Sequence, residues 1–279
     1  MKVITNIKQM QAWSKRIHRQ GKRIGFVPTM GCLHEGHLSL MRRARRENDC
    51  LAISIFVNPA QFGPEEDLLR YPRSFARDKD KARACGVDVI FYPKGNRIYP
   101  RGYKTYVEVE VLSDLLCGAS RPGHFRGVST VVLKLFNIVQ PDTAYFGQKD
   151  AQQAMIIKKM AEDLNFSVKL KVLPIVREKD GLAMSSRNSY LDKQQRKDAL
   201  IIYNSLQTAV GMIQSGNKAP RKIITKMRKM IKSKPSARID YIKIVEINDL
   251  LPAKTTNGLL LIAVAVFFGK TRLIDNAIV

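Results

Sequence analysis

Apolar residues recur at helical spacing near the start of the chain: Ile7, Met10, Trp13 and Ile17 share one face, and Gly21 ends the pattern. Arg23 to Val27 then reads as a short strand closed by Pro28, since proline has no N–H to give a ladder. A helical pattern over His37 to Asn48 leads into Leu51 to Val57, a strand-like apolar run. Ser74 is placed to cap a helix running to Cys85, Gly86 stops it, and Val87 to Tyr92 predicts another strand. The alternation continues with a helix over Val128 to Val139, a strand at Thr143 to Phe146, a helix over Ala151 to Asn165 and a strand at Lys169 to Leu173. Strands rich in Val, Ile and Phe, separated by helices of this length, predict a parallel sheet covered on both faces. The expected fold class is α/β, a Rossmann-like doubly wound sheet.

The texture changes between Pro174 and Asn188. Beyond it lie helical patterns at Asp192 to Ser215 and Pro220 to Ser233, then strands at Ile239 to Val245 and Leu259 to Phe268. Helices followed by strands predict a second, smaller α+β domain. The expected boundary lies near residue 176, giving domains 1–176 and 177–279, the second carrying Met184-Ser185-Ser186-Arg187-Asn188 close to its start.

Composition narrows the class. The longest apolar run, Leu259 to Phe268, falls short of the roughly 20 residues a membrane helix needs. The N-terminus turns polar at once, with no secretory stretch, so a cytoplasmic protein is expected. The cysteines at 32, 50, 85 and 117 form no CxxC pair, which argues against a disulfide framework or a metal cluster. Charge is less ordinary: 48 Lys+Arg against 24 Asp+Glu leave +24. Such an excess attracts polyanions. Its densest part, Lys218 to Lys234, interleaves cations with Ile223, Ile224, Met227, Met230 and Ile231, which describes an amphipathic helix with a solvated cationic face. Charge of this kind does not by itself argue for a nucleic-acid partner, and no membrane partner is expected.

Candidate chemistry lies in two places. In Phe26 to Leu38 a strand ends, a glycine-containing turn follows, and a helix begins near His37. Ligands of open parallel sheets bind at strand carboxyl ends, where helix N–H groups and the helix dipole favour phosphate. His34 and His37, three apart, can donate to phosphate oxygens as charge builds in phosphoryl transfer, and Gly36 leaves room for a nucleotide to approach. No third ligand beside them favours zinc. The second place is Met184 to Asn188, after Lys179-Asp180-Gly181: two hydroxyls and a fixed cation suit a triphosphate and a leaving pyrophosphate, with Gly181 as a hinge. Either feature is modest alone. Together they are similar to the HIGH and KMSKS signatures of the nucleotidyltransferase superfamily.

Five blocks in order sharpen the resemblance: Pro28-Thr29-Met30-Gly31 leading to His34-Glu35-Gly36-His37; Phe56-Val57-Asn58-Pro59-Ala60-Gln61-Phe62 with Tyr71-Pro72-Arg73; Arg121 to Val128; Phe146-Gly147-Gln148-Lys149-Asp150; and Asp180 to Asn188. Over residues 26–190 the chain resembles the pantoate–β-alanine ligase family. The resemblance implies activation of pantoate by Mg·ATP to an adenylate, followed by attack of the β-alanine amine. It also implies a homodimer. By resemblance Met30, Gly31, Cys32, Leu33, His34, Glu35, Gly36 and His37 line the ATP site, with His37 as proton donor and His34 on the phosphates. Gly147, Gln148, Lys149, Asp150 and Val176 extend that site, as do Met184, Ser185, Ser186 and Arg187. His37, His34, Lys149 and Arg187 are the expected catalytic set; Asn58, Gln61 and Gln153 are the expected pantoate and β-alanine residues.

The residues themselves fit these roles. A carboxamide at Gln61 both donates and accepts, as a hydroxy acid requires. Lys149 is a point charge for phosphate, and Asp150 suits a ribose hydroxyl or Mg²⁺; the plainer reading is an ion pair at a helix start. His124 and Arg126 read equally as part of a substrate lid or as a solvated basic loop. The chain departs from the family at Cys32, where a small residue such as Ala is common, and at Ser189, where Gly is common. The acidic stretch after Tyr71-Pro72-Arg73 is diluted to Arg77-Asp78-Lys79-Asp80, so no protein ligand to Mg²⁺ is assigned.

Overall fold

The computed structural model describes residues 1–64 and 66–279. These form two compact units: the first comprises Met1–Ser113, Arg121–Gln148 and Gln152–Pro174, and the second Asp114–Ser120, Lys149–Ala151 and Ile175–Val279.

The first unit is built on six parallel strands. In chain order come β1 (Lys2–Ile4), α1 (Ile7–Arg19), β2 (Ile24–Thr29), α2 (Glu35–Glu47), β3 (Cys50–Ile55), α3 (Phe75–Ala84), β4 (Val89–Phe91) and a short α4 (Gly95–Ile98). After α5 (Cys117–Ser120), a single turn belonging to the second unit, follow α6 (His124–Val139), β5 (Thr143–Gly147), α7 (Ala151–Asp163) and β6 (Lys169–Leu173). Every residue of β3 is buried, as expected of a strand covered on both faces. Helices α1 and α6 pack together and on β2, whereas α2 packs on β2, β3 and β5 and against α3. Strand order is β1-β4-β3-β2-β5-β6. The chain winds one way from β2 through β3 and the other way through β5, so the order reverses at the β2–β5 pair. In open sheets of this kind the crevice outside the strand carboxyl ends at that reversal is where ligands bind.

Among the boundaries that differ from the sequence reading, two have clear reasons. Strand β2 does not stop at Pro28 but continues to Thr29, with Pro28 opposite Ser54 of β3. Its pairing with β5 ends at Phe26. Ile24 O accepts from Asp142 on the β5 side, and Thr29 O accepts from Phe56 on the β3 side. Pro28, four residues beyond Ile24, therefore turns its missing N–H toward the β5 side after that ladder has ended. The proline costs no bond. Helix α6 begins at His124 rather than Val128, because Gly123 takes a left-handed conformation at its cap (φ 77°).

The second unit carries α8 (Lys193–Asp198), α9 (Leu200–Gln214) and α10 (Pro220–Lys232) against an antiparallel sheet of β7 (Ala237–Glu246), β8 (Leu260–Phe268) and β9 (Thr271–Ile278), in the order β7-β8-β9. The single helix expected over Asp192 to Ser215 is two, joined at Ala199. Strand β9 escapes a hydropathy reading because Asp275 and Asn276, each 4% exposed, lie buried within it. Arg177 satisfies Asp275 with hydrogen bonds of 2.6 and 3.1 Å. Helix α10 buries Ile223, Met227 and Ile231 in the apolar core and leaves Arg221, Lys222, Lys226, Arg228 and Lys229 exposed, the amphipathic arrangement its sequence describes. Among the described residues no helix is long and apolar enough to cross a membrane.

Candidate functional site

The first motif occupies the exit from β2 and the first turn of α2. Thr29 Oγ1 donates to Ser54 O (2.7 Å) and accepts from Gly31 N (3.2 Å), tying the strand end to its neighbour. Two left-handed residues follow, Gly31 (φ 88°) and Cys32 (φ 50°). The Cys32 and Leu33 N–H groups donate to the two oxygens of Asp78 on α3 at 2.8 and 2.7 Å. Burial, then the Asp78 carboxylate, push the Cys32 thiol above its ordinary range, so it sits in the turn as a small neutral group.

His34 caps α2, its carbonyl accepting from the N–H groups of His37 (2.8 Å) and Leu38 (3.1 Å). His34 N–H in turn donates to His37 Nδ1 at 3.3 Å. A ring nitrogen that accepts carries no proton, so the neutral His37 ring holds its hydrogen on Nε2. The two imidazoles lie 4.1 Å apart between centroids, tilted by 44°. Gly36 also makes room for this pair: a Cβ there would meet the His34 ring at 3.0 Å. Glu35, in the same turn, pairs with Arg42 further along the helix.

The Asn58–Gln61 turn is woven into the same unit. Asn58, 1% exposed, donates from Nδ2 to Gln61 Oε1 (3.0 Å) and Gly127 O (3.0 Å), while its Oδ1 accepts from Tyr99 Oη (2.9 Å). Burial, then Tyr103 and Tyr106, push the Tyr99 phenol above its ordinary range, which keeps it a donor. The chain of bonds orients the Gln61 amide: Oε1 faces Asn58, and Nε2 faces Met30 Sδ at 3.3 Å. The structure thus joins the imidazole turn to the carboxamide turn. Gln61 O accepts from His124 Nδ1 (2.8 Å) and Arg121 Nη2 (3.2 Å), and Arg121 in turn holds Glu66. His124 is therefore a brace for the Gln61 turn rather than part of a solvated loop, whereas exposed Arg126 stacks on the Tyr106 ring at 3.8 Å. Gln153 is half-buried on α7, beside Gln152, which donates to Leu112 O (2.9 Å). Gly147 ends β5; a Cβ there would meet nothing within 4 Å, so packing does not demand this glycine.

Gln148 follows Gly147 in the first unit, and the remaining candidates fall in the second. Met184 N–H donates to Val176 O (3.0 Å), and Arg177 bridges Ala183, closing a small hairpin. Gly181 at its tip is required by packing: its φ is +99°, and a Cβ would lie 2.2 Å from the Tyr203 ring. Ser185 Oγ accepts from Arg187 N–H (3.2 Å), starting the short turn Ser186–Tyr190. Asn188 anchors that turn through Glu178 (2.8 Å) and Ala183 O (3.1 Å). A small cavity lined by Lys149, Ser185, Asn188 and Asp275 brings the lysine beside the serine loop, although the two are distant in sequence. Asn276 Nδ2 donates to Lys149 O at 3.0 Å, and the Lys149 ammonium lies 3.7 Å from Asp150.

Three groups to which the sequence assigns no role shape these turns: Asp78, Lys81 and Gly127. Lys81 Nζ donates to Leu33 O at 2.6 Å. At Gly127 a Cβ would stand 2.1 Å from Ala60 O.

Comparison with known proteins places this geometry in context. The family model described as Pantoate-beta-alanine ligase matches residues 2–278. The chain is 54% identical over 279 residues to a pantothenate synthetase of Heliobacterium modesticaldum, covering all of this chain and 99% of that protein. It is 55% identical over 278 residues to one of Pelotomaculum thermopropionicum, with 100% and 99% covered. Among solved structures it is similar to the pantothenate synthetase of Thermus thermophilus (TM-score 0.95, 43% identity, 99% of each chain). It is also similar to the pantoate-beta-alanine ligase of Francisella tularensis complexed with beta-gamma ATP and beta-alanine (TM-score 0.81, 36% identity, 99% and 97% covered).

Proposed function

The chain belongs to the pantoate-beta-alanine ligase family and is an ATP-dependent ligase joining pantoate to β-alanine; from that premise we propose how its residues share the work. The reaction runs in two steps. A pantoate carboxylate oxygen attacks the α-phosphorus of ATP, the bond to the pyrophosphate oxygen breaks, and its electron pair leaves with pyrophosphate. The β-alanine nitrogen then attacks the acyl carbon of the adenylate; the bond to AMP breaks, and the amine gives up a proton.

The observation that carries this reading is the imidazole pair at the start of α2, at the β2 end of the sheet's order reversal. His37 donates from Nε2 to the α-phosphate oxygens as charge develops, His34 binds the adjoining phosphates, and the α2 N-terminus adds its dipole. Lys149 and Arg187 neutralise the leaving pyrophosphate, with Ser185 and Ser186 as hydroxyl donors. Gln61 holds pantoate and then β-alanine, Asn58 fixes its orientation, and Gln153 binds pantoate. In the first unit Met30 to His37, Gly147 and Gln148 are assigned to ATP; in the second, Lys149, Asp150, Val176 and Met184 to Arg187 are assigned to ATP by the same family likeness. Mg²⁺ brought with the triphosphate would supply charge neutralisation there. Asp150, whose side chain is 49% exposed, suits it, whereas each Asp78 oxygen already accepts a backbone N–H. The working form in this proposal is a cytoplasmic homodimer, checked by light scattering of the purified protein.

An AMP-release assay with each substrate omitted in turn tests the course. ATP with pantoate alone should yield pyrophosphate, and AMP release should require β-alanine. AMP absent with β-alanine and every other amine would remove the ligase chemistry. Gln61→Ala should raise the KM for pantoate and β-alanine well above that for ATP, because a carboxamide both donates and accepts, as a hydroxy acid and an amine require. A larger change in the ATP KM would reassign the residue.

A further inference from the structure

The Gly31–Leu33 turn poses an electrostatic problem. Successive N–H groups in a left-handed stretch point to one side and form a concavity that attracts anions. Left alone, this one would compete with α2 for a phosphate. It is already filled. Asp78, 3% exposed, places Oδ2 on the Cys32 N–H at 2.8 Å and Oδ1 on the Leu33 N–H at 2.7 Å. One helical turn further along α3, Lys81 donates to Leu33 O at 2.6 Å, so the same helix grips both faces of the Leu33 peptide region. The fit is tight: a Cβ at Gly31 would come within 2.9 Å of Asp78 Oδ2 and 3.1 Å of Ile55. Asp80, two residues on, is different, with a side chain 72% exposed and paired only with Arg83 among the ion pairs described.

We propose that Asp78, assisted by Lys81, is a positioning residue for adenylate formation: it occupies the turn's anion nest, fixes the left-handed Gly31-Cys32 backbone, and so sets where the His34 and His37 rings stand relative to the triphosphate. The inference rests on the assignment of the imidazole turn to ATP. Asp78 acts through the turn and touches no substrate. This separates it from a metal ligand, the other use an acidic stretch at this place in the chain has. A carboxylate whose two oxygens each take an amide hydrogen is spent on the backbone. Replacing it with asparagine presents one N–H₂ group to a backbone donor, so one of the two bonds must be lost.

Asp78→Asn, Lys81→Met and, as an exposed control, Asp80→Asn would be compared in the native full-length enzyme. Amide hydrogen exchange at Cys32 and Leu33, measured without substrate, should accelerate in Asp78→Asn and stay at the wild-type rate in Asp80→Asn. Pantoate-dependent exchange of pyrophosphate into ATP should fall by up to about 10²-fold in kcat, the scale of a misplaced catalytic group. The KM for β-alanine should stay near wild type, and excess Mg²⁺ should bring no recovery. Lys81→Met should show a smaller loss of the same kind and keeps the idea testable if Asp78→Asn does not fold. Recovery with excess Mg²⁺ would make Asp78 a metal ligand and overturn the proposal. So would unaltered exchange and rate, or losses in every parameter that merely follow the fraction of folded protein. Wild-type enzyme lacking pantoate-dependent exchange would instead refute the assignment of the turn to ATP, while the hydrogen-exchange comparison would still report on the clamp.

Discussion

His37→Ala is expected to slow adenylate formation by at least ~10²-fold, the scale of removing one donor that acts on charge developing in a transition state. The geometry explains why this ring carries so much. Its Nδ1 is committed to the His34 N–H at 3.3 Å, so the proton of the neutral ring sits on Nε2. It sits in the first turn of α2, where the N–H groups at the helix end add positive potential to whatever the ring donates to. Lys149→Ala should cost a similar factor, because Lys149 lines the cavity beside the serine loop and supplies a point charge for the phosphates. The two variants differ in kind: loss of His37 removes a directional donor, and loss of Lys149 removes a point charge whose contribution weakens at high salt. Single-turnover pyrophosphate release with saturating ATP and pantoate reads both. Rates unchanged in both variants would take these residues out of the mechanism.

Gly127→Ala is expected to destabilise the protein and to impair substrate binding together. The added methyl would lie 2.1 Å from Ala60 O, 2.4 Å from Ala60 C and 2.7 Å from Gln61 N. All three are backbone atoms, and no rotamer change relieves the contact. Either α6 or the Asn58–Gln61 turn must move, and overpacking of this kind costs about 1–3 kcal/mol. Movement of the turn would also break the bond from Asn58 to Gly127 O and the His124 brace on Gln61 O. The KM for pantoate and β-alanine should therefore rise together, with that for ATP little altered. Denaturant melting and initial rates check the two parts separately. A variant with wild-type melting and wild-type KM values would show that this helix approach does not hold the turn.

Much of the α/β sheet was legible along the chain. Runs such as Leu51 to Val57 are apolar on both sides because both faces of β3 are covered, and the helices between strands carry a clear apolar stripe. Errors came where neighbours override local preference. Pro28 looks like a strand end until the β5 ladder is seen to finish before it. Strand β9 hides because a buried carboxylate is tolerable only beside a guanidinium supplied by Arg177, 98 residues away. The packing demand on Gly181 is likewise invisible along the chain, because the Tyr203 ring against it lies 22 positions away.

The candidate site divides along the same line. Residue order alone established which chemical groups are available: two imidazoles three apart after a strand, a carboxamide in a proline turn, hydroxyls and a guanidinium in a later loop. Such groups occur as contiguous words because one turn must present them together. The groups that aim them are not contiguous. Asp78 reaches Leu33 across 45 positions, and Gly127 shapes the Gln61 turn from another helix. A hydrogen bond or a steric contact depends on distance in space, and no periodicity along the chain encodes which distant backbone N–H a carboxylate will meet; folding the sheet was needed to bring them within reach.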